Sequence, residues 1–218
     1  MFIPSPNPSP LRGCPVHQTG RVQSRPVGRS ALLVEVFDAD AALSLATWAR
    51  AAAVDAVEVV PAAASVLFDG VVDVPALARQ LAGWSPAAEV ARGELVELGV
   101  RYDGPDLAAV AEHWGVDVDT VVERHASVEY VAEFCGFAPG FSYLRGLPEE
   151  LAVPRLDSPR SRVPAGSVGL AGAWCGVYPR SSPGGWRLLG TTDAVLWDQD
   201  RDPPALLAPG TRVRFVAR

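Results

Sequence analysis

Apolar positions along the chain fall first at strand spacing and then at helix spacing. ALLVEVF (31 to 37) predicts a strand, and a helix capped by Asp38 or Asp40 should follow through Leu43, Trp48 and Ala53. VEVVP and AASVLF predict two strands around the Pro61 to Ala63 turn, and Val74 to Leu81 a second helix. Strand, helix, strand, strand, helix is the order of a ferredoxin-like α+β module, which needs a closing strand before about residue 100. ELVELGVRY (94 to 102) either supplies that strand or opens the next domain.

Gly104 and Pro105 precede a helix with Leu107, Val110, Ala111 and Trp114 on one face. A second helix, with Asp117 as N-cap, puts Val118, Val121, Val122 and His125 at the same spacing, so His125 sits on the buried-facing stripe. VEYVAEFCGF alternates like a strand. From Gly136 onward short apolar runs are broken by Gly and Pro, the signature of a closed or strongly curved antiparallel β-structure. The fold class expected is α+β: a disordered Pro-rich extension over 1–20, a ferredoxin-like domain over 21–90 and a β-barrel domain over 91–218.

Charge separates the same halves. Residues 31 to 133 carry 5 Arg against 18 acids, whereas residues 134 to 218 carry 10 Arg against 7 acids. An overall pI near 5.1 excludes a general nucleic-acid binder, while the C-terminal Arg excess suits a small anion. The chain has no lysine, since all 19 cations are Arg, which excludes a Schiff base, a Walker lysine and a biotin-carrying lysine. Three unpaired cysteines fit a reducing compartment. No apolar run approaches the roughly 18 residues that span a bilayer, and the N-terminus lacks the apolar core of a secretory signal. The expectation is a cytoplasmic protein without membrane contact.

Val163 to Gly190 holds seven glycines and two tryptophans in 28 residues, yet it matches neither GxxxxGK[ST] nor GxGxxG. Ser167 in AGSVG departs from the GxSxG nucleophile elbow, and no helix follows it. The histidines at 17, 113 and 125 have no metal-ligand spacing, so no metal site is expected. Cys135 or Cys175 paired with His125 is the thiol alternative; a small core residue is the other reading of each cysteine. His125 itself is either a satisfied core histidine or an acid or base aimed into an adjoining cleft. Arg155, Arg160 and Arg162 punctuate VPRLDSPRSRVP, where prolines stiffen the loop; they either face solvent or form a fork for a carboxylate or phosphate.

The ordered motifs Phe137 to Leu144 (FAPGFSYL), Pro154-Arg155, Pro159-Arg160, Val163 to Val168 (VPAGSV), Val177 to Pro179 (VYP), Ser182 to Trp186 (SPGGW) and LAPGTRVRF resemble one family from about Arg25 to the end. It is the family of the 5-oxoprolinase B-type subunit, also labelled allophanate hydrolase subunit 1 or Kip-type kinase inhibitor. The resemblance implies a ferredoxin-like domain followed by a cyclophilin-like β-barrel. It also implies a cyclophilin-like C-type partner and an A-type partner, and opening of 5-oxo-L-proline to L-glutamate with hydrolysis of ATP, carried with Mg and shared with the partners. Related domains take part in urea carboxylation, and a third branch inhibits a sensor histidine kinase. The residues so implied are His125 and Arg160 in catalysis, and Arg155, Ser167, Tyr178, Ser182, Trp186 and Trp174 around the substrate. Gly172 to Gly176 (GAWCG) stands where relatives carry Gly-Gly-Gln-Thr-Gly, and Gly190-Thr191-Thr192 stands where they carry Gly-Arg-Thr. Ser142 replaces a proline.

Overall fold

The structure is a computed structural model and describes residues 22–86 and 93–218; the extension expected over 1–20 lies outside the described residues. β1 (Gln23–Val27) and β2 (Ala31–Glu35) form a hairpin, followed by α1 (Ala39–Ala51). Asp38 rather than Asp40 caps α1, its carboxylate accepting the Ala41 N–H at 2.8 Å. β3 (Glu58–Pro61) and β4 (Ser65–Asp69) lead to α2 (Val74–Leu81), which Asp73 caps in the same way. The four strands lie in the order β1-β2-β4-β3 with every neighbour antiparallel. One sheet face is alternately apolar, so Leu32, Val34, Val66 and Phe68 pack against Leu45, Ala46, Leu77 and Leu81 of the helices. The ferredoxin-like order is therefore present, with β1 standing where the closing strand was expected.

β5 (Leu95–Val100), the strand that could have joined either domain, belongs to the second sheet. α3 (Leu107–Trp114) and α4 (Val118–Ser127) follow, with Gly115 ending α3 in the left-handed conformation and Asp117 capping α4. β6 (Glu129–Cys135), β7 (Ser142–Arg145), β8 (Arg160–Val163), β9 (Ser167–Ala171), β10 (Trp174–Val177), β11 (Ser182–Gly184), β12 (Arg187–Thr191) and β13 (Arg212–Ala217) complete the chain. Seven of these strands form one sheet in the order β12-β9-β10-β7-β6-β13-β5, while β8 and β11 pair separately.

The seven-stranded sheet is antiparallel apart from β13, which runs parallel to β5 over six residue pairs. Its two edges meet where Arg101 and Thr191 exchange backbone hydrogen bonds of 2.9 and 2.8 Å, so the sheet nearly closes on itself. A Cβ on Gly190 would collide with the Arg101 carbonyl, and glycine there lets the edges approach. Inside lie Leu98, Tyr130, Leu144, Leu170, Val213 and Phe215, with α3 and α4 adding Leu107, Val110 and Val121. Burial of each such side chain contributes about 1.5–3 kcal/mol, and this interior is the main source of the barrel's stability. Arg145 links the two sheets, reaching Asp40 of α1 at 2.6 Å and the buried Glu133 of β6.

Candidate functional site

Side chains of the barrel sheet alternate between two environments. Leu144, Leu170, Cys175 and Leu189 point into the barrel, and their neighbours Tyr143, Ala171, Trp174 and Leu188 pack in a separate apolar cluster with Phe141, Val163, Tyr178 and Trp186. The second cluster lies on the outer face of the sheet, beside the β8–β11 pair and the FAPG turn. There an aromatic cavity of about 120 Å³ is lined by Phe137, Phe141, Tyr143, Arg155, Tyr178, Gly184, Gly185 and Trp186.

The rings meet edge to face: Phe141 to Trp186 at 5.3 Å, Phe141 to Tyr178 at 5.5 Å and Tyr143 to Trp186 at 5.7 Å. Such contacts fix each ring against its neighbours. Phe137 is held at φ 63°, a conformation uncommon for a bulky side chain, and is 58% exposed where it joins the cavity wall. On the opposite wall a Cβ on Gly184 would strike the Tyr178 hydroxyl, so the glycine keeps that phenol in place. Burial raises the Tyr178 pKa, opposed by a hydrogen bond from the Trp186 backbone and by the Arg155 and Arg160 charges, so the phenol stays a proton donor at neutral pH. Arg155 is exposed and, among the described residues, is the only charged side chain lining this cavity.

Of the residues expected from the sequence, Arg155, Tyr178 and Trp186 come together here. Trp174 touches the cavity wall only indirectly, through ring contacts with Tyr143 at 5.9 Å and Phe134 at 5.4 Å. Arg160 is not a lining residue. Its guanidinium donates to Asp106 Oδ1 at 2.8 Å and to the Trp186 carbonyl at 3.4 Å, which supports the wall from behind. Ser167 is 2% exposed within β9, its backbone carbonyl accepting the Tyr178 N–H at 2.9 Å and its N–H donating to the Pro164 carbonyl at 3.4 Å. The Ser182 hydroxyl is enclosed in the β8–β11 pair without a partner among the described residues.

His125 resolves to the core reading rather than the cleft reading. It is completely buried, with ring centroids 4.6 Å from Phe215 and 5.4 Å from Tyr130. Its Nδ1 is 2.8 Å from the Tyr102 hydroxyl and its Nε2 is 3.3 Å from Cys175 Sγ. The thiol–imidazole pairing that the sequence allowed therefore exists. Burial, however, lowers the His125 pKa to about 3 and pushes the Cys175 thiol up, so both remain neutral, and neither side chain reaches the surface of the chain.

Two features escaped sequence reasoning. Phe137, Phe141 and Tyr143 were visible within FAPGFSYL, but nothing in their spacing says that a turn folds them onto Tyr178 and Trp186. Asp106 gave no signal at all: it stands at the N-cap of α3, yet its carboxylate turns to Arg160 and to the Leu188 N–H at 2.7 Å. It is 5% exposed and joins α3, β8 and β12 through one side chain.

A family model described as "Carboxyltransferase domain, subdomain C and D" matches residues 22–207. The chain belongs to this family. Among curated proteins it is similar to the B-type subunit of 5-oxoprolinase from Escherichia coli O157:H7, with 51% identity over 143 residues, covering 63% of this chain and 66% of that protein. It also matches the 5-oxoprolinase B-type subunit of Bacillus subtilis (strain 168), 46% identical over 125 residues, covering 56% of this chain and 52% of the relative. The alignments thus span just under two thirds of the first relative and about half of the second. Among solved structures, that of TTHA0988 superposes with a TM-score of 0.73 at 36% identity, covering 86% of this chain and 40% of that one.

No helix among the described residues is long and apolar enough to cross a membrane. The aromatic cavity is below the roughly 300 Å³ usual for a ligand pocket, and its lining carries no lysine. Among the described residues no group of three or more His, Cys, Asp or Glu could hold a metal ion.

Proposed function

We propose that this chain is the B-type component of an ATP-dependent 5-oxoprolinase and that its aromatic cavity receives the lactam. The observation that carries the reading is the combination of 51% identity to a 5-oxoprolinase component with an aromatic cavity whose one charged lining residue is an arginine. A five-membered lactam with a carboxylate is small, flat and singly charged. Arg155 would take the carboxylate in a two-pronged hydrogen bond, Phe141 and Trp186 would flank the ring, and the protonated Tyr178 hydroxyl would donate to the lactam carbonyl. ATP with its magnesium is shared with the A- and C-type partners in this reading. Activity then requires the assembled complex in the cytoplasm.

In a complex reconstituted with the A- and C-type partners, Arg155→Leu should raise KM for 5-oxoproline about tenfold or more, with a smaller effect on kcat. An unchanged KM would remove Arg155 from the site. The family description, a carboxyltransferase domain, also supports a second reading, transfer of a carboxyl group, for which urea or an amide would be the acceptor. Biotin-dependent turnover of urea, without glutamate release from 5-oxoproline, would select that reading.

A further inference from the structure

A larger cavity, of about 340 Å³, lies on the other side of residues 153–156 and is lined by Ala109, Val110, Glu112 and His113 of α3, by Val153 and Pro154, and by Arg187 of β12. The two cavities share a wall one residue thick. Pro154 and Arg187 face the larger cavity, and their chain neighbours Arg155 and Trp186 face the aromatic one. The wall is fastened by Leu156 N–H to the Gly185 carbonyl at 2.8 Å and by Arg187 Nε to the Pro154 carbonyl at 3.2 Å. The end of α3 is tied to the same segment, with Trp114 Nε1 donating to the Leu151 carbonyl at 2.9 Å and His113 Nε2 to the Ala152 carbonyl at 3.0 Å. This cavity is thus built from anchored elements, and its volume lies within the roughly 300–1,000 Å³ of small-molecule sites.

Its polar groups are complementary to a zwitterion. Among the described residues Arg187 uses only Nε, which leaves the two terminal nitrogens as a fork for a carboxylate. The Glu112 carboxylate, at an exposed helix position, has no hydrogen bond or ion pair among the described residues and forms none with Arg187, so both charges at the rim of this space are open to a ligand. A carbonyl can only accept, so the His113–Ala152 bond puts a ring proton on Nε2. Ala109, Val110, Val153 and Pro154 supply apolar wall. From this arrangement we infer that the cavity is a second binding site, distinct from the aromatic one, for a free α-amino acid with an apolar side chain. Its carboxylate pairs with Arg187 and its ammonium with Glu112. The site stands independently of what the aromatic cavity binds, and its ligand reaches the Arg155 wall through Pro154.

Calorimetric titration of the whole chain with L-leucine tests this directly. The controls are 4-methylpentanoate, which lacks the ammonium, and 3-methylbutylamine, which lacks the carboxylate. Leucine should bind at one site, and each half-charged analogue at least about tenfold more weakly. Glu112→Gln and Arg187→Leu should each weaken leucine about tenfold, and Ala109→Phe, a substitution at an exposed helix position that fills the space, should abolish binding in a chain that melts normally. Arg155→Leu should leave leucine binding intact. Absence of leucine binding, equal binding of either analogue, or sensitivity to Arg155→Leu in place of Arg187→Leu would overturn the proposal.

Discussion

The two faces of the barrel sheet carry contrasting polar clusters. Inside, Tyr102, His125 and Cys175 form a hydrogen-bonded chain of the residue types that chemistry favours, and His125 and Cys175 are wholly enclosed. Outside, Tyr178 and Arg155 line a small aromatic cavity. Desolvation keeps the inner groups neutral; on the outer face Arg155 meets solvent, while Tyr178, 2% exposed, lines the cavity from within the aromatic cluster as a protonated donor. The lesson is that access, more than residue type, separates a structural polar network from a site.

The largest expected effect falls on the residue that supports the outer face from within. Asp106→Ala would strand the Arg160 guanidinium and the Leu188 N–H, and should cost about 3 kcal/mol in denaturant titration. Asp106→Asn, which retains an acceptor, should cost less. If Asp106→Ala proves neutral, Arg160 is not held by this contact and regains candidacy as a ligand-binding group.

Next comes the inner chain. His125→Leu should lower stability by about 1–2 kcal/mol at neutral pH, while turnover per folded complex stays unchanged. The pH dependence gives a sharper signature. The ordinary histidine pKa is 6.5, and burial lowers that of His125 to about 3. Above pH 6.5 the group is neutral in both folded and unfolded chains and its contribution is constant. As pH falls from 6.5 toward 3 only the unfolded chain takes the proton, so stability declines by up to about 1.4 kcal/mol per pH unit. That share of the acid sensitivity should vanish in His125→Leu. Loss of turnover without loss of folding would return His125 to the chemistry.

The smallest effect should come from the outer rim. Trp174→Gln restores the residue type that the family resemblance associates with this position, and Trp174 touches the cavity only through Tyr143. Stability should fall by less than about 1 kcal/mol, and substrate KM should shift a few-fold. A change of substrate preference beyond tenfold would show that Trp174 contacts the ligand directly.

Legibility followed locality. Asp117 as a cap, the Leu107, Val110 and Ala111 stripe, and the strand–helix–strand–strand–helix order were readable because capping and periodicity act over a few residues. Arg155, Tyr178 and Trp186 stand out through motifs, and the structure unites them in one cavity. Arg160, Ser167 and His125 stand out alongside them, but their side chains turn toward Asp106, the β9 packing and the barrel interior. A motif records which residues occur together without recording the face on which each lies, and a one-residue step along a strand reverses that face.

The sequence by itself determined the α+β order of elements, the absence of lysine chemistry and the family, because these depend on composition, short-range periodicity and motif order. Only the tertiary structure decided that β5 joins the barrel while β1 completes the first sheet, since six parallel pairings with β13 compete across more than a hundred residues of chain. It alone also decided that His125 is buried and Arg155 is exposed. Those outcomes rest on which side of a closing sheet each residue faces, a choice made by long-range pairing at Arg101 and Thr191 that local sequence does not encode.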